Sequence, residues 1–400
     1  MVENSKISSN NDSTKSKTFL GVDWNIFMLG IVSFLTDVSS EMIFAVFSIF
    51  FTVILGASTF LLGLIEGLSD FAASSLDYVS GYLSDITGKK KRYAAMGYGF
   101  STVAKTLLLF ANTVIIASAF RVVERLGKSF RGPPRDSWIS SLTTDKNRGY
   151  SFGVHKALDK SGAILGPLIA YLILNTLGQS KSTFMLLFQI ALIPAVLAVI
   201  LLFFIKEKQE PVQPRENIFK AYKSLSLEYK HYLHTAVLFS VAYFSFSFLL
   251  LKAYIVGFEI KDVVLLYALF NIAFVIVSAP IGKLGDIIGR RKIIIVEYLA
   301  YFLMCVGFIF ATTKTEVIIL FALFGIFYAI DEGQSKAYIG DMEKVKRGTA
   351  VGLYNFVTGV VYLPASLVAG YLWSINPNYA FVFAAIISVS AMIFFIARKK

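Results

Sequence analysis

The sequence predicts an all-α polytopic membrane protein in which twelve transmembrane helices form two six-helix bundles. Three observations support this fold class: a composition poor in charge, apolar runs long enough to cross a bilayer, and a motif that recurs half a chain later. Only 16% of the 400 residues are charged and 56% are hydrophobic, whereas about 25% of the residues of a soluble domain are charged. The chain therefore has too little charge to cover a water-facing surface.

The apolar runs recur from Trp24 to the end of the chain, and each is near the roughly 20 residues that a helix needs to cross a bilayer. The short alternating segments of a transmembrane barrel are absent from the sequence. The predicted spans are residues 24–54, 59–86, 92–112, 113–131, 149–175, 182–205, 232–256, 260–284, 292–312, 315–338, 347–374 and 378–397.

Four regions follow from these spans. Residues 1–23 are rich in Ser, Asn and Lys and predict a disordered cytoplasmic tail rather than a signal peptide. Residues 24–205 form the predicted N-terminal bundle, residues 206–231 a polar cytoplasmic linker, and residues 232–400 the C-terminal bundle.

Basic residues concentrate in alternate loops. One side carries Lys89–Arg92, Arg131, Arg135 and Arg290–Lys292, whereas the other side carries Lys181, Lys261 and Lys314. Because cytoplasmic loops are enriched in Lys and Arg, we expect the basic side and both termini to be cytoplasmic, in a plasma-membrane protein. The net charge of +12 is then a consequence of topology, and no nucleic-acid partner is expected.

The motif that recurs is "GYLSDITGKKKR" at 81–92 and "GKLGDIIGRRKI" at 282–293. Both copies share a Gly, an Asp four residues later, a second Gly and a basic run. A second correspondence, "RGYSFGVHKAL" at 148–158 and "RGTAVGLYNFV" at 347–357, follows at nearly the same offset. Two matches in register indicate that the chain contains two copies of one six-helix unit.

These residues resemble the major facilitator superfamily over the whole chain from about residue 24. The repeated loops look like the family's motif between spans two and three and between spans eight and nine, although Ile86 and Ile287 replace the Arg that usually follows the Asp. In span five, Gly162, Gly166 and Pro167 resemble the family's antiporter motif, with Ala170 where a Gly is usual. The resemblance implies two bundles around a central cavity that opens to alternate faces.

The loop motifs have a physical interpretation of their own. Gly81 and Gly282 would allow close approach of helices, and Gly88 and Gly289 suit helix ends. An acid at a helix C-terminus needs a donor, because the carbonyl-rich end disfavours negative charge. We expect the loops to bias the conformational equilibrium through Gly81, Asp85, Gly88, Lys89, Lys90, Gly282, Asp286, Gly289, Arg290 and Arg291.

The first two spans carry acids. Asp37 and Glu41 share one face of span one, and Glu66 and Asp70 share one face of span two. A charge at the centre of a membrane helix costs roughly 2.5–3.5 kcal/mol on the insertion scale, so these groups must face protein or a wet cavity. Span four adds Arg121, and span five adds Lys156 and Asp159, which are three residues apart and can pair.

Two interpretations of these charges remain open. In one, acids and bases neutralise each other and hold the bundle together. In the other, a partly desolvated carboxyl group cycles its proton near neutral pH. Under the second interpretation Asp37 is the first candidate, Asp70 and Glu41 follow, and Arg121 tunes them.

The sequence therefore predicts a proton-coupled secondary transporter that exports a small amphiphilic or cationic organic compound. The alternatives are a proton-driven nutrient importer and a metal or metal-chelate carrier. A lipid enzyme or a receptor is a third class, but the sequence contains no recognisable nucleophile or phosphate site. Cys305 is the single cysteine, and no resident metal or cofactor is expected. The expected partners are substrate, protons and the lipid bilayer, and the protein is expected to be a monomer.

Overall fold

The structure is a computed structural model that describes residues 18–143, 147–207, 222–344 and 347–397. Most of the predicted tail and of the predicted linker therefore lies outside the described residues. Residues 18–23 form a short antiparallel hairpin from β1 (Thr18–Phe19) and β2 (Val22–Asp23). All further elements within these ranges are helical, as the fold class predicts.

The first half of the chain contains α1 (Trp24–Ile49), which a π-helical turn at Phe50–Ile54 continues, and then five further long helices. They are α2 (Thr59–Thr87), α3 (Lys90–Leu108), α4 (Val114–Ser141), α5 (Arg148–Leu177) and α6 (Lys181–Phe203). Polar side chains start several of them, because they satisfy backbone N–H groups of the first turn. Asp23 caps α1, Ser58 caps α2, and Thr113 caps α4.

The second half contains seven described helices. They are α7 (Leu227–Ala242), α8 (Ser247–Ile255), α9 (Ile260–Ile288), α10 (Arg290–Phe310), α11 (Lys314–Met342), α12 (Arg347–Ile375) and α13 (Pro377–Ala397). A capping box between Thr313 and Glu316 starts α11.

The helices reverse direction at glycine turns, which give the molecule two ends. Gly88 and Gly289 have φ angles of 67° and 96° and lie beside the repeated basic runs; we call this the basic end. Gly56 and Gly257, with φ angles of 73° and 104°, lie at the other end, which we call the opposite end. A positive φ favours glycine at each of these turns.

Nine spans among the described residues are long and apolar enough to cross a membrane. The α7–α8 pair counts as one of them, whereas α3, α4 and α11 are long helices of more polar composition. The protein is thus a multi-pass, all-α membrane protein, and the number twelve stays a prediction.

The seventh span is broken, which the sequence analysis did not predict. The helix stops at Ala242 and restarts at Ser247, and Tyr243 between them has extended backbone angles. Irregular backbone at membrane depth is tolerated where it is buried in protein or lines a cavity, and Ser245 and Ser247 do line a cavity.

The fourth span is longer than predicted. The sequence ended it at residue 131 and placed Arg131 and Arg135 in a cytoplasmic loop, but α4 continues to Ser141 with Pro133 and Pro134 inside it. The predicted loop was therefore wrong, because this segment is helical; its cytoplasmic side stays a prediction. A proline lacks the N–H group and usually ends a helix, yet α4 stays helical through the proline pair.

Contacts between helices divide into those inside each half and those across the halves. In the first half, α1 packs against α5 and α6, and α4 packs against α2 and α3. In the second half, α11 packs against α9 and α10, and α13 against α7 and α10. The halves meet mainly through α2 on α12 and α5 on α9. The predicted domain boundaries stay a prediction, since residues 208–221 are not described.

Candidate functional site

A central cavity of about 300 Å³ lies between the two halves. Its first-half wall carries charged side chains, and its second-half wall is largely aromatic. The first-half lining includes Glu41, Phe44, Phe47, Glu66, Asp70, Arg121, Arg125, Lys128 and Lys160. The second-half lining includes Tyr243, Ser245, Phe246, Ser247, Tyr267, Phe270, Asn271, Phe324, Tyr328, Asp331 and Tyr362.

The centre of the first-half wall is a row of bases on α4, which we call the α4 ladder. Because a helix turns about 100° per residue, positions three and four apart share a face. The ladder consists of Arg121, Arg125, Lys128, Arg131 and Arg135, and it runs from the opposite end toward the basic end. Each of these five bases faces an acid from α1, α2 or α5.

The first rung joins Arg121 to Glu66 of α2. The Arg121 Nε atom donates to Glu66 Oε1 at 2.8 Å and Nη2 donates to Oε2 at 2.6 Å. Glu66 is buried and the Arg121 side chain is 11% exposed, and the guanidinium lies over the Phe44 ring at 4.4 Å from its centroid. From the broken seventh span, the Ser247 hydroxyl donates to Glu66 at 3.2 Å. This bidentate pair is therefore fixed by both halves of the molecule.

The second rung joins Arg125 to Asp70, one turn closer to the basic end. The Arg125 Nη2 and Nε atoms lie 2.8 Å and 3.1 Å from Asp70 Oδ1. Both side chains are partly exposed to the cavity. This pair is therefore the rung most open to a bound molecule.

The third rung contains Glu41 of α1, which interacts with both halves. Lys128 Nζ lies 3.6 Å from Glu41 Oε1, and the Tyr267 hydroxyl of α9 donates a hydrogen bond to Glu41 Oε2. Any change in the distance between α1 and α9 alters this contact.

The fourth rung joins Arg131 to Asp37, which the sequence analysis ranked first among the titrating candidates. Arg131 Nη2 lies 3.8 Å from Asp37 Oδ1, and its guanidinium lies 4.7 Å from the centroid of the Tyr98 ring. Asp37 is buried one turn below Glu41 and is not part of the cavity lining.

The fifth rung lies near the basic end, where Asp159 of α5 is 3.8 Å from Arg135 Nη1. Lys156 Nζ lies 3.9 Å from Asp159 Oδ2, so the pairing expected from their spacing is present, and 3.1 Å from Glu332 of α11. Lys156 therefore links the two halves at this depth.

A polar cluster lies behind the ladder. Lys105 Nζ is 3.0 Å from the Ser40 hydroxyl, and the Ser40 and Ser101 hydroxyls donate to Glu124 Oε1 at 3.3 Å and 3.1 Å. All four residues are buried. The cluster thus connects Lys105 and Glu124 to Ser40 of α1, the residue directly before Glu41.

The antiporter-type residues of α5 bring that helix onto α1. A Cβ atom on Gly162 would collide with the Phe34 carbonyl oxygen, and one on Gly166 would lie 2.7 Å from the Val38 carbonyl oxygen. Pro167 follows inside the helix and is buried. These glycines therefore fix the segment of α1 that carries Asp37.

The loop motifs differ between the halves. Arg290 pairs with Asp286 at 2.6 Å and with Asp341 of α11 at 3.0 Å. A Cβ atom on Gly282 would meet nothing within 4 Å, so the expected close helix approach at this glycine is absent in this conformation, because α9 is not pressed against a neighbour there. Arg291 donates to the Phe395 carbonyl oxygen at 3.0 Å.

In the first copy, Asp85 lies one turn before Gly88, which ends α2, and Lys89 precedes α3. The Lys90 Nζ atom donates to the Ser137 carbonyl oxygen at 3.3 Å, which ties this loop to the end of α4. Gly81 is buried within α2.

Sequence reasoning missed Lys128, Arg131, Arg135 and Tyr267 as site residues. The recurrence of bases every three or four positions from Arg121 would have indicated the ladder, but "GPP" at 132–134 indicated a loop. Within the described ranges, no group of three or more His, Cys, Asp or Glu side chains is arranged to hold a metal ion.

Comparison with known proteins gives the family. The family model of the Major Facilitator Superfamily matches residues 29–313 and, in a second match, residues 253–400. An uncharacterised MFS-type transporter of Methanocaldococcus jannaschii is 35% identical over 372 residues, 91% of this chain and 92% of the relative. Multidrug resistance protein 1 of Bacillus subtilis is 23% identical over 317 residues, 74% of this chain and 77% of that protein.

The fold is also that of solved transporters. A crystal structure of a variant of the nucleoside transporter NupG matches with a TM-score of 0.79 at 13% identity, over 94% of this chain and 100% of that chain. These findings confirm the resemblance inferred from the repeated loops and the fold class inferred from the composition. The chain belongs to the Major Facilitator Superfamily and is a membrane transporter, not an enzyme.

Proposed function

We propose that the protein is a proton-coupled secondary transporter that exports a small amphiphilic or cationic organic compound by alternating access. The observation that carries the proposal is the two-walled cavity, in which acid–base pairs face a wall of aromatic rings. The charged wall is suited to proton exchange, and the aromatic wall is suited to an organic cargo. The contact between Tyr267 and Glu41 joins the two walls.

Alternating access is supported by contacts at both ends of the cavity. At the opposite end, the Gln179 side chain donates to Glu259 at 3.2 Å, and Gly63 of α2 packs against Ser366 of α12. At the basic end, Lys156 of α5 pairs with Glu332 of α11 at 3.1 Å. Each contact crosses the halves, so opening one end requires breaking the contacts at that end while the others hold.

Proton coupling is supported by the position of Glu41 and Asp37, which lie one turn apart on α1. Glu41 faces the cavity and Asp37 lies behind it, and each has a basic partner on α4 at nearly 4 Å rather than in tight contact. Because ionised carboxylates at this depth depend on those partners, a shift of α4 or α9 changes their proton affinity. Arg121, held tightly by Glu66, has a structural role in this scheme.

The substrate class is supported by the aromatic lining. Rings from α1, α9, α11, α12 and the break between α7 and α8 line the cavity. They offer both apolar area and faces that attract cations. Asp70 and Asp331 lie in the same lining and offer negative charge. Relatives named as multidrug resistance proteins are consistent with a cargo of this kind. We further propose that the basic end faces the cytoplasm of a plasma membrane and that the monomer is the transporting unit.

The runner-up functions are an importer of a nutrient and a carrier of a metal or metal chelate. The cavity acids of the first half each face a base, which leaves little net negative charge there to compensate a bare metal ion. Import of an organic nutrient uses the same cavity and differs from our proposal in the direction of the proton.

The test uses purified protein in liposomes that contain a trapped pH indicator, with ethidium as the probe cation. When ethidium is added outside, antiport moves protons out as ethidium enters, so the lumen becomes alkaline. Symport would acidify the lumen and support the importer. Uptake with no change in lumenal pH would contradict proton coupling.

Variants of the two acids make the same test specific. We expect Glu41→Gln and Asp37→Asn to abolish the pH change, whereas Asp262→Asn, near the start of α9 and away from the cavity, keeps it. Full coupling in Asp37→Asn would remove this residue from the mechanism. Full coupling in both acid variants would contradict the site.

A further inference from the structure

The lining of the central cavity contains two charges that the α4 ladder does not use. Among the described residues, eight charged side chains line this cavity, and six of them form the first three rungs. The other two are Lys160 of α5, in the first half, and Asp331 of α11, in the second half. Because each rung is neutral as a pair, the charges that remain for a bound molecule are one base and one acid.

Lys160 has an aromatic ring as its neighbour but no acid. Its Nζ atom lies 4.5 Å from the centroid of the Phe274 ring, and none of the described acids lies within ion-pair distance of it. Asp159, the acid next to it in sequence, is instead near Arg135 and Lys156. An ammonium group has three hydrogen-bond donors, and a ring face accepts on one side only. Lys160 is therefore free to bind an anionic group.

Asp331 is the counterpart of Lys160 on the other wall. Within the part of the chain that the structure describes, no base lies within ion-pair distance of its carboxylate. Its charged neighbours on α11 are Glu332, which pairs with Lys156 at 3.1 Å, and Lys336, which is exposed. Asp331 is therefore free to bind a cationic group.

The ion pair between Lys156 and Glu332 determines how these two charges are arranged. Lys160 lies one turn after Lys156 on α5, and Asp331 directly precedes Glu332 on α11. Because the pair joins α5 to α11, it brings Lys160 and Asp331 toward each other from opposite halves. A single small molecule in the cavity can therefore contact both charges.

Lys160 also lines a second cavity, of about 660 Å³, between α5, α9 and α11. Glycines leave space in this cavity, since a Cβ atom on Gly153, Gly282 or Gly333 would meet nothing within 4 Å. The second cavity extends to Arg290 near the basic end. Lys160 therefore lies where the two cavities adjoin, and a molecule in either cavity can reach it.

We propose that the cargo is zwitterionic, with an anionic group that binds Lys160, a cationic group that binds Asp331, and an apolar body that packs against the aromatic wall. A cargo that is only a cation would leave Lys160 without a counter-charge once the cavity closes, and an unpaired charge away from water is costly. The inference names the substrate class of the proposed function and rests on the central cavity as its cargo site. It depends neither on proton coupling nor on the direction of transport.

The test compares two dyes that differ in one group. Rhodamine 110 has a free carboxylate and a cationic ring system, and rhodamine 123 is its methyl ester, which lacks the carboxylate. Their binding to purified full-length protein in lipid nanodiscs is measured by fluorescence anisotropy, with the signal of empty nanodiscs subtracted. We expect rhodamine 110 to bind about tenfold more tightly, since it makes one additional charged contact. Equal affinities, tighter binding of rhodamine 123, or binding of neither dye would overturn the inference.

Variants assign the two contacts. Lys160→Met should weaken binding of rhodamine 110 by about tenfold without weakening that of rhodamine 123, whereas Lys160→Arg should keep the preference. Asp331→Asn should weaken binding of both dyes, because both carry the cationic ring system. The matched control is Lys283→Met, on an exposed position of α9 outside both cavities, which should change neither affinity.

A double variant separates cargo binding from an ion pair that Lys160 and Asp331 form with each other in another conformation. Cargo binding predicts that Lys160→Met with Asp331→Asn binds rhodamine 110 more weakly than either single variant. Equal loss for both dyes in each single variant, with recovery in the double variant, would overturn the inference. If gel filtration shows that Lys160→Met does not fold, the wild-type comparison and Asp331→Asn decide the question. Absence of proton movement with an intact dye preference would contradict the proposed function alone.

Discussion

At the scale of the residue, the contribution of an ion pair to stability depends on how completely its two charges are removed from water. The Arg121 and Glu66 side chains are only 11% and 2% exposed, and two short hydrogen bonds join them. Arg290 and Asp286 are joined by one bond of 2.6 Å, but the Asp286 side chain is 63% exposed. The same pair of chemical groups therefore has a structural role inside the bundle and little energetic weight at its surface.

We expect Arg121→Gln to lower the free energy of unfolding by about 3–5 kcal/mol, because it leaves the buried Glu66 carboxylate without its partner. The double variant Arg121→Gln with Glu66→Gln should recover most of the loss. The measurement is thermal unfolding of the detergent-solubilised protein with added lipid.

Arg290→Gln is the control for that measurement and should shift the melting temperature little. Equal shifts for Arg121→Gln and Arg290→Gln, or a double variant no better than the single one, would contradict the structural role of the first rung.

Individual residues of the site also show what the sequence could predict and what it could not. The positions of Asp37, Glu41, Glu66 and Asp70 on polar helix faces follow from periodicity alone. Their partners do not, because pairing depends on the rotation of α4 and on its continuation past Pro133. Tyr267 lies on a helix of the other half, and no local pattern predicts a contact that distant.

At the scale of the element, α5 is positioned by its small residues. Gly162 and Gly166 lie against the backbone of α1, whereas a side chain at Gly153, on the same helix, would meet nothing within 4 Å. Alanine substitutions at Gly162 and Gly153 therefore form a matched pair, because the gain in helix propensity is the same at both positions and only the packing differs.

Gly162→Ala should destabilise the protein by about 1–3 kcal/mol, the usual cost of overpacking. Gly153→Ala should stabilise it by about 0.5–1 kcal/mol, since alanine favours the helix. Thermal unfolding of the two variants provides the comparison. If Gly162→Ala were as stable as Gly153→Ala, the close packing of α5 on α1 would not be needed for the fold.

Elements differ in how far the sequence predicts them. The bounds of α1 and α2 follow from apolar length and from capping residues. The break between α7 and α8 does not, because "AYFSFSF" at 242–248 is a continuous run of aromatic and small residues. Glu66 and the cavity offer hydrogen-bond partners to the serines only after the halves meet.

At the scale of the whole molecule, the opposite end is closed by contacts between α2 and α12 and by the Gln179–Glu259 hydrogen bond. The repeated motifs predicted two related halves, and the contacts across them follow from the fold as a whole. The repeated loop motifs do not indicate which end is closed, since both copies are compatible with closure of the basic end and with closure of the opposite end.

A covalent link across the opposite end should stop transport. We expect Gln179→Cys with Glu259→Cys, in a Cys305→Ser background, to lose ethidium transport after treatment with a short bifunctional thiol reagent. The native Cys305 is buried, so its reactivity toward the reagent is low. Its replacement by serine leaves only the introduced cysteines to react. Each single-cysteine variant, treated in the same way, is the control.

Transport that continues after complete cross-linking would mean that the opposite end does not open during the cycle. Loss of transport in the single-cysteine controls would assign the effect to the reagent and not to the link.

The α4 ladder has a consequence for biogenesis. Among the described residues, α4 is not one of the helices apolar enough to cross a membrane by composition. An Arg or Lys at the centre of a helix opposes insertion by roughly 2.5–3.5 kcal/mol. Four of the five bases of the ladder pair with acids of α1 and α2, which the ribosome completes before α4. The first two helices must therefore remain beside the translocon until α4 emerges, and α4 enters the bilayer as their partner.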